Sequence, residues 1–160
     1  MDDRLTRVKA DIVPYTAEYS RTVLSWINSE ETYFNLCKGT EFPPPDELVE
    51  SWQRDGVSSY LLFAEGRPVA YGELWSRPLE LAIEIAHLIV DPMQRGRGFG
   101  SKMLGLLYQR AAERPNVAKV ILNFYTGDES ILGCYLKAGF ELVSVGSSEE
   151  GMRMERLVKL

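Results

Sequence analysis

Apolar positions alternate between two periods along this chain, and the switches between them mark its elements. Residues 7–13 read as a first strand, stopped by Pro14, whose ring removes a ladder donor. Thr16 is then placed to cap a helix that carries Tyr19, Val23, Leu24 and Ile27 at three-to-four spacing and ends near Ser29. Residues 31–45 contain Gly39 and three consecutive prolines and are predicted as a loop, followed by a short helix from about Asp46 bearing Leu48, Val49 and Trp52. The β-branched and aromatic runs at 59–65 and 69–75 flank Gly66, Arg67 and Pro68, which is a hairpin signal. A third run at 79–90 follows the Arg77-Pro78 break.

From Gly98 onward the period becomes helical. Met103, Leu104, Leu107 and Ala111 make one apolar stripe, ending before Pro115, as expected of a helix laid against a sheet. Residues 118–124 form another predicted strand. Thr126 with Glu129 resembles a capping box opening a helix through Ile131, Leu132, Tyr135 and Leu136, which Gly139 closes. Two strands, 141–145 and 152–158, finish the chain. With no internal repeat and no linker, residues 1–160 read as a single mixed α/β domain.

Composition narrows the chemistry. Eighteen Lys and Arg against 23 Asp and Glu give a net charge of −5, which disfavours nucleic acid as a partner because phosphate-backbone affinity comes from clustered cations. Cys37 and Cys134 lack metal-like spacing and only one histidine is present, so no metal site is expected. The charged start lacks a signal peptide's apolar run, and no 18-residue apolar stretch occurs, so no membrane partner is expected and a reducing cytoplasm is the expected location.

The most informative segment runs from Val90 through Asp91, Pro92, Met93, Gln94, Arg95, Gly96, Arg97, Gly98, Phe99 and Gly100 to Ser101: a strand end, three alternating glycines and a helix start. Without a Cβ at Gly96, Gly98 or Gly100, successive N–H groups can converge on one anion, and the helix N-terminus adds unpaired donors and the positive end of its dipole. Arg95, Arg97 and Lys102 add charge. The pattern suits a pyrophosphate, although it is neither the dinucleotide fingerprint G-x-G-x-x-G nor a P-loop.

The run Glu84-Ile85-Ala86-His87-Leu88-Ile89-Val90-Asp91-Pro92, followed by Arg95-x-x-Gly98-x-Gly100, resembles the acetyl-CoA signature of the GCN5-related N-acetyltransferases. Tyr135-Leu136-Lys137-Ala138-Gly139-Phe140 resembles that family's downstream Y-x-x-x-G-F. The resemblance implies an acyl-CoA N-acyltransferase fold, with a mixed, mostly antiparallel sheet of about six or seven strands and about four helices. It implies acetyl-CoA as co-substrate and a primary amine, on a small molecule or peptide, as acceptor. The alternative is a module of the same fold that binds coenzyme A without turnover.

By the same resemblance, the backbone of Leu88 and Val90 would pair with the pantetheine arm. The segment Arg95, Gly96, Arg97, Gly98, Gly100 and Ser101 would bind the pyrophosphate. Tyr135 would protonate the departing thiolate and Glu84 would be the base, with Glu73 able to share or replace it. His87 stands an odd number of positions from Glu84, so in a regular strand it faces the other way and is read as structural unless a bulge re-aims it. Asp128 stands where many members have an Asn contacting pantetheine, and as a carboxylate it accepts but cannot donate. Resemblance places the acceptor near Glu30, Glu31, Tyr33, Phe34, Glu41 and Trp52, which either hold a cationic amine or, for the aromatics, belong to the core. The two terminal strands could pair across a homodimer.

Overall fold

The computed structural model describes residues 11–125, 129–146 and 151–158. Its strands are β1 (Asp11–Pro14), β2 (Val57–Ala64), β3 (Arg67–Arg77), β4 (Ala82–Val90), β5 (Lys119–Phe124), β6 (Glu141–Val145) and β7 (Met152–Leu157). Its α-helices are α1 (Ser20–Trp26), α2 (Glu30–Cys37), α3 (Leu48–Ser51), α4 (Phe99–Ala112) and α5 (Glu129–Lys137). The strands form one sheet in the order β1-β2-β3-β4-β5-β7-β6. Every pairing is antiparallel except β4 with β5, which α4 connects by a crossover. The mixed, mostly antiparallel architecture anticipated above is therefore present.

Both faces of the sheet are covered, so its central strands carry apolar residues on both sides. On one face Met103, Leu104, Leu107 and Ala111 of α4 pack against Ala70, Leu74, Ile83 and Ile85. Gly72 of β3 is buried in this layer, where a Cβ would lie 2.6 Å from Leu107 Cδ1. On the other face Val23, Trp26, Val49 and Trp52 from the N-terminal helices cover Leu61, Tyr71 and Ile89. Among the described residues no helix is long and apolar enough to cross a membrane.

The main departure from the sequence reading is α2, which occupies half of the segment predicted as loop. Its start is encoded locally. Ser29 Oγ accepts from the Thr32 N–H at 3.1 Å, and Glu30 and Glu31 stand in the first turn, where negative charge meets the positive end of the helix dipole. Lys38, at φ 59°, closes the helix in the left-handed conformation, its N–H donating to the Phe34 carbonyl at 2.7 Å. The weight of Gly39 and the prolines obscured this capping signal, and loop begins only after the helix. The expected strand at 79–90 is also shorter, because Pro78–Glu80 forms a 3₁₀ turn before β4. The predicted cap of α5 falls on Thr126 and the Glu129 side chain, outside the described residues.

Candidate functional site

β4 and β5 run side by side only from Ala82 opposite Lys119 to Ile85 opposite Leu122. Beyond Ile85 β4 stays paired to β3 through Ile89 and Val90, while its β5 side opens. The splay leaves backbone donors and acceptors of the Ala86–Val90 stretch without strand partners, and a polar backbone at a cleft wall is a template for an extended amide-bearing chain. A cavity of about 710 Å³ fills the opening, lined by β4 from Ile85 to Val90, the end of β5, the glycine loop, α2 and α5. Leu88 and Val90 both line it.

The glycine loop closes one end. Asp91 Oδ1 accepts from the Met93 N–H at 2.9 Å and fixes a 3₁₀ turn over Pro92–Gln94. Gly96 and Gly98 then adopt φ 82° and 83°, which disfavour any residue with a Cβ. A Cβ built on either would meet no atom within 4 Å, so the requirement at these two positions is conformational, and the space before them is open. Gly98 is the N-cap of α4 and no side chain caps the helix there, so the first-turn N–H groups at Phe99, Gly100 and Ser101 keep no intrahelical partner. Gly96, Gly98, Gly100, Ser101 and Arg95 line the cavity.

Arg97 is the exception. Its guanidinium donates to Gln94 Oε1 at 2.6 Å and to Glu65 Oε1 at 3.0 Å and lies over the Phe99 ring. The side chain therefore braces the loop against the β2–β3 hairpin instead of lining the cavity, a use that required knowing where Glu65 would fold. Asp128 lies outside the described residues.

Tyr135 enters the cavity from α5, its ring edge-on to Phe124 with centroids 5.1 Å apart. Among the described residues its hydroxyl has no hydrogen-bond partner. Burial, with a smaller contribution from neighbouring Cys134, pushes this phenol up to about 12, so it holds its proton throughout the neutral range. Cys134 Sγ lies 3.3 Å from Ser101 Oγ and ties α5 to the start of α4.

The two acidic candidates, Glu84 and Glu73, do not line the cavity. Glu84 is 5% exposed, faces Trp75 across the ladder and does not line the cavity. Its Oε1 is held by Arg77, from Nε at 3.1 Å and from Nη2 at 2.5 Å. Glu84 stands in the paired half of β4, before the splay, which sets the residue expected as base apart from the cavity. Glu73 is fully buried and accepts from the Tyr71 hydroxyl and from Trp75 Nε1 at 2.7 Å.

His87 is the cleft residue that period-two reasoning misplaced. Between Glu73 opposite Ala86 and Tyr71 opposite Ile89, β4 spends one residue more than β3. The bulge carries His87 at φ 49° and turns it to the Glu73 side of the sheet, with Nδ1 2.9 Å from Glu73 Oε1. Its ring stacks on Trp52 at 4.0 Å and meets the edge of Trp75 at 5.2 Å.

On the acceptor side, Glu31, Thr32 and Asn35 of α2 line the cavity with Asn28 and Ser29. Tyr33 and Trp52 are buried in the second core, whereas Phe34 is half-buried and packs edge-on against Tyr125. Glu30 and Glu41 do not line this cavity.

Residues 22–140 match the acetyltransferase (GNAT) family. The chain is 23% identical over 140 residues to an aminoglycoside N(6')-acetyltransferase type 1 of Klebsiella pneumoniae, covering 81% of this chain and 68% of that one. Its fold is similar to AAC(6')-Ib solved in complex with ribostamycin and coenzyme A, at TM-score 0.77 and 18% identity over 93% of each chain. It is also similar to the spermidine N-acetyltransferase of Vibrio cholerae solved with CoA and spermine, at TM-score 0.76 and 15% identity over 93% of this chain and 95% of that one. With a splayed β4, a glycine cradle at an uncapped helix and a half-buried tyrosine around one cavity, and with the match over most of its length, the chain belongs to the GCN5-related N-acetyltransferases, enzymes that move an acetyl group from acetyl-CoA to an amine.

Proposed function

We propose that this protein acetylates the primary amine of a small molecule, with acetyl-CoA lying along the open edge of β4. One observation carries the reading: an unpaired strand edge, an uncapped helix N-terminus and a proton-holding phenol all border a single cavity. The residues fit the coenzyme's chemistry. The N–H groups from Gly96 to Ser101, with Arg95 beside them, suit a pyrophosphate. The backbone of Leu88 and Val90 suits the amides of the pantetheine arm.

Tyr135 then serves the leaving group. A phenol protonated across the neutral range can hydrogen-bond and protonate the sulfur as the C–S bond breaks, and the proton lost by nitrogen when the amide forms restores it through solvent. Among the described residues, the acceptor side of the cavity offers one carboxylate, Glu31, beside the neutral partners Asn28, Ser29, Thr32 and Asn35. That set suits a cationic amine carrying hydroxyl or amide groups, in keeping with the aminoglycoside and polyamine acceptors of the similar proteins.

The test begins with thermal melting. Acetyl-CoA at about 100 times its Kd should stabilise the fold by about 2.7 kcal/mol. Release of free thiol is then followed with kanamycin, spermidine and a free-amine tripeptide as acceptors. Turnover with either small amine, lowered about 100-fold or more in Tyr135→Phe with the melting shift retained, supports the proposal. Binding without turnover of any acceptor would favour the non-catalytic module, and turnover of the peptide alone would refute the small-molecule assignment.

A further inference from the structure

We propose that His87 is the catalytic base, taking the proton from the incoming ammonium at Nε2, and that Glu73 is its positioning residue. This rests on the transferase reading above and names the group that reading leaves open.

Three observations carry it. His87 and Tyr135 border the same cavity from β4 and α5. Nδ1 of His87 is engaged by Glu73, and a carboxylate only accepts, so in the neutral ring that nitrogen carries the hydrogen and Nε2 keeps the lone pair a base needs. Nε2 has no protein partner among the described residues, yet no polar side-chain atom of the described fold is both buried and unpartnered, so Nε2 reaches solvent on a residue that lines the cavity.

The surroundings hold this tautomer in place. Glu73 is fully buried, and among the described residues no Lys or Arg is on it and its donors are the Tyr71 hydroxyl, Trp75 Nε1 and His87 Nδ1. Tyr71 is in turn held by Gln53 Nε2 at 2.9 Å, and burial with the nearby Glu73 pushes its phenol well above the ordinary range, so it remains a donor. Trp52 and Trp75 fix the ring plane. A bulge that puts a bulky residue at φ 49° costs strain, which a purely structural histidine at this register would not need.

The other titratable groups around the pair do not compete for Nε2. Cys37 of α2 lies within the field of Glu73, and its thiol is raised mainly by burial. Glu84 on β4 is occupied by Arg77, and Arg54 lies over Trp75. Glu31 lines the cavity from α2 and is exposed, which suits attraction of the ammonium.

Nε2 takes one proton from R–NH3+, and the neutral amine forms the C–N bond at the thioester carbonyl. The C–S bond then breaks as Tyr135 protonates the sulfur, the second proton shed by nitrogen restores the phenol through solvent, and the imidazolium releases its proton to solvent, so the ammonium and thioester yield amide, thiol and one solvent proton.

The chain has a single histidine, so its ring nitrogens can be read without assignment. Nitrogen-15 NMR of the labelled protein should show hydrogen on Nδ1 and a bare Nε2. A ring carrying its hydrogen on Nε2, or one that stays doubly protonated up to about pH 9, would overturn the proposal. In kinetics with whichever of kanamycin and spermidine is acetylated, His87→Gln should lower kcat/KM about 10²–10⁴-fold at pH 7 while keeping the acetyl-CoA melting shift. The deficit should shrink as pH approaches the amine's own value, about 10.4 for a lysine-like amine, because solution then supplies the free base. A deficit constant with pH, or a loss of this size in Glu31→Gln instead, would refute it. Glu73→Gln should lower kcat with little change in KM. If that variant does not fold, the ring-nitrogen spectrum still decides. Failure of the wild type to bind acetyl-CoA would sink the transferase reading separately, since that shift does not involve His87.

Discussion

Gly66 and Gly98 form a matched pair for testing the cradle. Both have left-handed backbone, φ 79° and 83°, and a Cβ on either meets nothing within 4 Å. Gly66 lies in the β2–β3 turn and does not line the cavity, whereas Gly98 opens α4 and does. Replacing either with Ala forces an L-residue into that conformation at about 1 kcal/mol, with no clash to add. For a chain of this size that corresponds to a fall in Tm of about 2–4 °C in both variants. Binding should separate them. If the added methyl at residue 98 costs one charge-assisted hydrogen bond from the helix start to the pyrophosphate, about 1.5–3 kcal/mol, the Kd for acetyl-CoA rises about 10- to 150-fold. Gly66→Ala should leave it unchanged. Scanning calorimetry without ligand and isothermal titration with acetyl-CoA measure the two quantities independently. Equal affinities in the two variants would refute the cradle, and a much larger stability loss in Gly98→Ala would show that the glycine serves packing instead.

Gly105 is exposed in the middle of α4 with open space around it, so Gly105→Ala should stabilise the fold by about 1 kcal/mol and raise Tm in calorimetry. Gly72→Ala should do the opposite, by about 1–3 kcal/mol, because its methyl must displace Leu107 Cδ1 from 2.6 Å; denaturant unfolding would register the loss. Glu84→Gln should change kcat/KM less than about twofold, because the carboxylate is held by Arg77 outside the cavity, whereas His87→Gln removes the base. Tyr135 ties stability to alkaline pH: its folded value, about 12, exceeds the unfolded value near 10, so the folded state binds more protons. Its contribution is complete below pH about 10 and is lost as pH rises through about 12, and Tyr135→Phe should flatten that part of a stability–pH curve.

The parts of this protein legible in its sequence are those written in a local period or a local backbone requirement. The stripe of Met103, Leu104, Leu107 and Ala111 is buried as its spacing implied, because helical period maps directly onto one face. The alternating glycines announced the loop, because φ near 80° at Gly96 and Gly98 is a demand the chain must meet with glycine. The N-cap at Ser29 was equally local and was masked only by the prolines that follow.

Tertiary structure alone decided which side chains share the cleft. Alternation is a rule for regular strands, and the extra residue in β4 exists only relative to its partner β3, so His87 and not Glu84 reaches the cavity. In the same way, Arg97 turns to Glu65, Glu84 to Arg77 and Glu73 to His87, each across a distance in sequence that no local pattern specifies. Charged and polar groups find partners by three-dimensional proximity, and the strand register that creates that proximity is fixed by the burial of both faces of the whole sheet.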